Sequence, residues 1–425
     1  MMKIALKSTF YSLIALCAFL SASLSLQAQA PNTAFIANGG SFSAPGNMVT
    51  VGAYDIANQT YAVFDSFPAS SVQKMIRDGR YGYLAADSFV VRYDFATRTR
   101  THIKDLKGVR QLAIYGDDLL VTRGFGATSD YVVALDKSDL SDSYVLSAVS
   151  GACEGIAVSG DSAYVAVSGS YPYVGGKLAV IDLVNETLDR EIDYDSLGKD
   201  MRNVYAVGGM IYSISAIAWN STYGVFNRYN STNGVVDHIQ TVPVGKGLNR
   251  TDDDIYALFG GAVGTFDLNT DMVSNASVIP GNFAAGEYDP VQSRFYLTET
   301  DFFSYGRLKV YDANANVIDS VEVDLSPEAM VLYDGDVFTS AANGADDALD
   351  ITAWPNPAQD VFHIRLDDRA NALNGFRLQD ATGRTLRAGE LSGIQADLSV
   401  AELPAGMYFI TVQTKSGENV LRLLK

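Results

Sequence analysis

The sequence predicts an all-β chain: a seven-bladed β-propeller followed by a small C-terminal β-sandwich. Three observations carry that expectation. With 24 Tyr, 20 Phe and 37 Gly, the composition favours short strands and tight turns over helices. Beyond the N-terminal segment, no long stretch shows an apolar period of 3.6 residues. A strand ending of the form apolar-x-aromatic-or-aliphatic-Asp also recurs seven times, roughly every 40–45 residues, which is the period of propeller blades.

The first 28 residues read as a signal peptide. Lys3 and Lys7 form its basic region and Phe10 to Leu20 its apolar core. Leu26-Gln27-Ala28 and Ala28-Gln29-Ala30 both offer a cleavage site; Pro31 disfavours the second, so the mature chain is expected to start at Gln29. The core is shorter than the roughly 20 residues of a membrane span. Cys17 follows Leu16 and lacks the small residue that lipoprotein processing needs. Once the signal is removed, Cys153 is the only thiol, so no intrachain disulfide can form and stability must come from burial and sheet closure. The formal charge of −18 becomes more negative with the loss of Lys3 and Lys7, which argues against nucleic acid and anionic membranes as partners.

At 425 residues, 48% hydrophobic and 19% charged, the chain has material for two cored domains. Residues 29–340 hold the repeat, with strand ends at Asp55, Asp94, Asp136, Asp182, Asn227, Asp267 and Asp312. The stretch Ala163 to Ile192 shows the unit well, with strands at Ala163–Val167, Lys177–Leu183 and Thr187–Ile192. Blade 2 is the most compact, reading Val72–Arg77, Tyr81–Ala86, Phe89–Tyr93 and Arg98–Lys104. A ring of blades must close, because an open end would expose an unpaired edge. Ser326–Tyr333 reads as a first strand without a third, and the segment from Thr33 as a second strand without a first; together they complete one blade. Asp336–Ser340 also resembles a second strand. Residues 341–350, small and acidic, read as a linker. Residues 351–425 then alternate as strands at Val361–Leu366, Gly375–Gln379, Thr385–Glu390 and Met407–Thr414, which suits a small sandwich.

Short motifs punctuate this last unit: Trp354-Pro355-Asn356-Pro357, the run from Leu378 through Gly383 to Arg384, Asp397-Leu398, the run from Leu403 through Gly406 to Tyr408, and a terminal Arg422-Leu-Leu-Lys425. Their order and terminal position resemble the type A C-terminal sorting domain of type IX secretion substrates in Bacteroidetes. That resemblance implies outer-membrane translocation by the type IX machinery, commonly with removal of the domain, and release or attachment at the surface. The propeller, through Ala163-Tyr-Val-Ala-Val-Ser-Gly169, Leu178-Ala-Val-Ile-Asp182 and Glu154-Gly-Ile-Ala-Val158, resembles YVTN/YncE-like propellers. Val72-Gln73-Lys-Met75, Val109-Arg110-Gln-Leu112 and Cys153-Glu154-Gly-Ile156 are closer still to Bacteroidetes surface propellers, some of which capture corrinoids. That resemblance implies a corrinoid as one option for a small-molecule partner; a glycan or a protein is the other expected kind of partner, and no cofactor is expected.

Stepping back ten residues from each second strand reaches Gln73, Arg110, Glu154, Arg202, Lys246, Gly286 and Glu328. First strands are innermost in a propeller, so these positions should ring the channel mouth. Charges of both signs there either pair among themselves or contact a ligand. The loops between second and third strands should open on the same face. They carry Phe42, Phe125, Tyr171, Tyr173, Trp219, Tyr223, Phe302, Phe303 and Tyr305, enough rings to wall a pocket.

Signals for an enzyme are poor. His102, His238 and His363 are the only histidines, and the first two fall in outer strands. No metal-ligand spacing or nucleophile elbow occurs. Cys153, beside a carboxylate and without a histidine, reads as a buried structural thiol. Asp312-Ala-Asn314-Ala-Asn316 begins like a calcium loop but has Val317 where Gly is needed, so it reads as a hairpin turn. The expectation is therefore a non-enzymatic binding propeller. A metal-dependent lyase or lactonase using Glu154, Glu287 or Glu328, and a structural or adhesive surface protein, are the alternatives.

Overall fold

A computed structural model describes residues 30–335 and 351–425, apart from 42–46, 169–174, 208–209, 217–221, 244–246, 251–253, 268, 271, 355–357, 359, 367–372, 381–383, 405 and 415–416. The linker, the signal segment and Asp336–Ser340 lie outside these residues. Seven four-stranded antiparallel sheets form the blades. Each is an open sheet whose fourth strand is a free outer edge, and the first strands of neighbouring blades pack together, as Val109–Tyr115 does on Cys153–Ser159.

Closure uses the two ends of the ring. Pro327–Tyr333 is the first strand of blade 1 and pairs antiparallel with Thr33–Asn38, followed by Met48–Asp55 and Thr60–Pro68. Blades 2 to 7 then begin at Lys74–Asp78, Val109–Tyr115, Cys153–Ser159, Met201–Val207, Gly247–Arg250 and Phe283–Asp289. No blade is left with an exposed inner face, because seven apolar clusters alternate with the seven blades. Phe35, Ala37 and Tyr333 of blade 1 pack on Met75, Leu84 and Phe95 of blade 2. On the other side of the same blade, Ala34, Ile36 and Met330 pack on Tyr296, Leu308 and Val310 of blade 7.

That arrangement explains an imperfect alternation in the sequence. A second strand such as Thr33–Asn38 sends odd and even residues to two different neighbours, so it is buried along its whole length. Such strands read as continuous apolar runs. Only fourth strands such as Thr99–Asp105 are mostly exposed. Rings stack where bulky positions meet: Phe35 on Phe95 with centroids 3.9 Å apart, and Phe226 on Phe266 at 4.0 Å.

The recurring Asp closes the hairpin between third and fourth strands. Asp182 Oδ1 accepts from the backbone N–H groups of Val184 (3.0 Å) and Asn185 (2.9 Å), and Asp55, Asp94, Asp267 and Asp312 do the same in their blades. The Asp312 segment is thus a hairpin turn. Blade 5 corrects the sequence reading: the capping residue is Asn230, which accepts from Thr232 and Asn233, three residues beyond Asn227. Asn227 is instead fully buried, donating to Ser215 Oγ at 3.0 Å and contacting His238 Nδ1 at 2.6 Å.

Inner strands approach so closely that some positions tolerate no side chain. A Cβ on Gly155 would lie 2.6 Å from the Arg202 carbonyl oxygen and 2.8 Å from the Val204 nitrogen of blade 5. Both are backbone atoms, so one blade would have to move. Gly155→Ala is expected to destabilise the propeller by about 2 kcal/mol, as overpacking does. A urea midpoint equal to that of the parent would contradict this.

The tail is a sandwich of a three-stranded and a four-stranded sheet. The four expected strands are present. Ile351–Trp354, Gln395–Ser399 and Gly417–Leu424 add to them. Phe362, Ile364, Leu378, Ile410, Val412 and Leu423 form the core. Gly406 and the terminal Lys425 exchange two backbone hydrogen bonds of 2.9 Å, and Tyr408 Oη donates to the Pro404 carbonyl at 2.7 Å. Arg384 is exposed, while Pro355, Asn356, Pro357 and Gly383 lie outside the described residues.

Candidate functional site

Gln73, Arg110, Glu154, Arg202, Gly286 and Glu328 come from six different blades, yet all line one cavity of about 410 Å³ at the channel mouth. Lys246 lies outside the described residues. Local geometry brings these side chains inward. The first strands of blades 3, 4, 5 and 7 are irregular at their starts, with register shifts at Val109/Leu112, Cys153/Ile156, Met201/Asn203 and Phe283/Ala285. A bulge adds a residue and re-aims its side chain.

Two buried threonines fasten these irregular starts to the next blade. Thr122 Oγ1 accepts from Gln111 N–H (2.9 Å) and donates to the Glu154 carbonyl (2.6 Å). Thr298 Oγ1 does the equivalent job between the Ala285 N–H (3.1 Å) and the Pro327 carbonyl (2.9 Å). The ring positions are therefore held by blade-to-blade hydrogen bonds as well as by packing.

The charges pair in an ordered way. Arg110 Nε donates to Glu154 Oε2 at 2.7 Å, and burial pushes the Glu154 carboxyl above its usual range against the pull of Arg110. Arg202 donates through Nε (3.0 Å) and Nη2 (2.5 Å) to one oxygen of Asp200. Ser326 Oγ donates to Glu328 Oε1 at 2.7 Å. A side chain at Gly39 would meet that same oxygen at 2.4 Å, so glycine leaves the space Glu328 occupies. Gln73 Nε2 donates to Ser71 Oγ at 3.0 Å.

Position-by-position reasoning missed Lys74, Gln111, Asp200 and Asn203, which also line the cavity. It weighed Glu287 only as an enzyme residue, although this carboxyl stands at a distinctive place. Glu287, Lys74 and Met75 line both the mouth cavity and a second cavity of about 480 Å³, which Arg77, Asp289 and Asp334 also line. Glu287 is buried, and burial raises its pKa to about 7 although Lys74 and Arg77 pull it down. Cys153 is also buried, and burial pushes its thiol well up.

The aromatic residues do not complete the pocket as expected. Phe125, Tyr223, Phe302, Phe303 and Tyr305 are exposed, and none lines the cavity. The reason is geometric: first strands line the axis, whereas Phe125, Phe302 and Phe303 stand on connections between second and third strands and Tyr223 and Tyr305 open third strands. Phe42, Tyr171, Tyr173 and Trp219 lie outside the described residues. Among the described residues, no group of three or more His, Cys, Asp or Glu is placed to hold a metal ion, and no helix is long and apolar enough to cross a membrane.

Comparison with known proteins resolves the tail. Residues 352–425 match the model of the secretion system C-terminal sorting domain. The tail engages the type IX secretion machinery, and the chain is secreted or held at the cell surface. No curated protein is similar in sequence. Among solved structures, a presumptive 6-phosphogluconolactonase from Bacteroides fragilis is similar with a TM-score of 0.51 at 12% identity, over 71% of this chain and 98% of that one. Hydrazine synthase from Kuenenia stuttgartiensis gives 0.48 at 10% identity, over 67% and 96%. The first likeness shows the propeller fold and nothing finer.

Proposed function

We propose that this exported propeller is a binding protein, taking a small molecule, a glycan or a protein partner on its channel-mouth face, with the sorting tail as its means of delivery. One observation carries the reading: six positions from six blades converge on a single cavity in which charges are positioned by specific pairs. A few oriented polar groups in a concave site of several hundred Å³ are what small-ligand recognition requires. The exposed rings around the face add contact area for a larger partner.

A ligand screen by thermal shift and calorimetry, covering corrinoids, glycans, small acids, amines and metal salts, tests it. The expected result is a ligand whose affinity falls at least tenfold in Arg110→Ala or Gln73→Ala. Ligands that bind parent and variants alike, or no ligand at all, would sink the reading. An enzymatic reading rests on Glu287, whose pKa near 7 suits general acid–base work. It predicts a turnover lost in Glu287→Gln without loss of binding.

A further inference from the structure

The mouth cavity has cationic hydrogen-bonding capacity that the protein does not use. Arg110 engages Glu154 through Nε alone, so both of its Nη nitrogens are without a partner among the described residues. Arg202 engages Asp200 through Nε and Nη2, which leaves Nη1. The Lys74 ammonium, also on the lining, makes no hydrogen bond or ion pair among the described residues. Arg110 and Arg202 both act on the half-buried Glu154 carboxyl. Both guanidinium groups are pre-oriented, Arg202 held along its Nε–Nη2 edge and Arg110 at Nε.

The acidic residues of the cavity do not cancel this capacity. Glu154 and Asp200 are each hydrogen-bonded to an arginine and Glu328 to Ser326. Burial also raises the Glu287 carboxyl to about 7, so near neutral pH it carries less than a full charge. The lining from blades 7 and 1 is mostly small and apolar, with Ala284, Ala285, Gly286, Ala329 and Met330 beside the carboxyls of Glu287 and Glu328. Gln73 and Gln111 supply amides between the two walls. A ligand matching this division has an anionic group at one end, hydroxyls at its edge and a hydrocarbon face.

We propose that the mouth cavity takes a small hydroxylated carboxylate, of the hydroxy-acid or uronic-acid class, with its carboxylate against the open nitrogens of Arg110, Arg202 and Lys74. This rests on the binding reading given above and names the class of ligand. Hydroxyls reach Gln73 and Gln111, and the ring or chain lies on the alanine wall. The open Nη pair of Arg110 fits a carboxylate in two-point contact, with single contacts from Arg202 Nη1 and Lys74, whereas a neutral amide of the same shape leaves these cations unmatched.

Calorimetric titration of the secreted protein with D-glucuronate, D-glucuronamide, D-glucose and D-glucosamine provides the test. Glucuronate is expected to bind, with the amide, the neutral sugar and the amine each at least tenfold weaker, and to weaken as salt rises. Arg202→Gln, at a half-exposed position, should lower glucuronate affinity at least tenfold. The double change Arg110→Gln with Glu154→Gln removes a whole pair, so no buried charge is stranded, and should do the same. Glucuronamide binding as tightly as glucuronate, or affinity indifferent to Arg202→Gln, would overturn the proposal. If all four probes are silent while another ligand remains sensitive to Gln73→Ala, the ligand class falls and the site stands. If no ligand of any kind is sensitive to mouth substitutions, both fall.

Discussion

Truncation after Thr414 is expected to leave the protein trapped within the cell envelope, with none in the medium or on the cell surface. The missing strand, Gly417–Leu424, pairs with Met407–Thr414 at every one of eight positions, and Leu423 is fully buried in the sandwich core. Its removal exposes the backbone of a central strand and opens a cavity in a domain of only about 75 residues, which has little stability to spare. The sorting domain cannot then present a folded surface to the secretion machinery. Leu423→Asp, which keeps the chain length, should give the same phenotype, and the propeller should still fold in the periplasm. Immunoblots of medium, surface and periplasmic fractions decide the matter; unaltered secretion of both variants would show that the strand is dispensable.

The second large effect concerns pH. Glu287 has a carboxyl whose pKa is raised from 4.5 to about 7 in the folded chain, chiefly by burial. Below pH 4.5 the group is protonated whether the chain is folded or not, and it costs nothing. Between pH 4.5 and 7 the unfolded chain releases the proton while the folded one retains it, so stability falls as pH rises. By pH 8 the cost reaches about 3 kcal/mol at one pKa unit per 1.36 kcal/mol. Glu287→Gln should abolish that slope: the variant should match the parent at pH 4 and exceed it at pH 8. Urea denaturation of the propeller at pH 4, 6 and 8 measures both curves, and parallel curves would refute the assignment.

Much of the architecture was legible because each blade repeats one local device. An Asp or Asn that closes a hairpin by accepting backbone N–H groups leaves a mark at fixed spacing, and seven such marks count seven blades. The mark failed once, in blade 5, where Asn227 and Asn230 are both followed by polar residues and only the fold shows which one turns the chain. The ring at the mouth was legible as one position per blade. Its second members, Gln111 and Asn203, were not, because bulges decide how many residues of a first strand face the axis and no residue type marks a bulge. Glu287 looked like any strand glutamate; its buried position between two cavities comes from residues of other blades, Met330 some forty positions later and Lys74 more than two hundred earlier. The tail's missing strands had the opposite difficulty. Gly417–Leu424 begins with Gly-Glu-Asn, residues that read as a turn until they pair with Met407–Thr414.

The shared blade also sets a timetable. The first strand of blade 1 is the last propeller strand to be made, so Thr33–Asn38 waits for Pro327–Tyr333 through nearly the whole of synthesis and export. Until then the ring is an open arc with both ends free, unable to reach its final stability. Closure and completion of the sorting tail follow one another within the last hundred residues. A chain that has become secretable is thus one whose ring has just become able to shut: a product stalled before Pro327 would carry neither a sealed propeller nor an address, and one shortened within the tail would keep the first and lose the second.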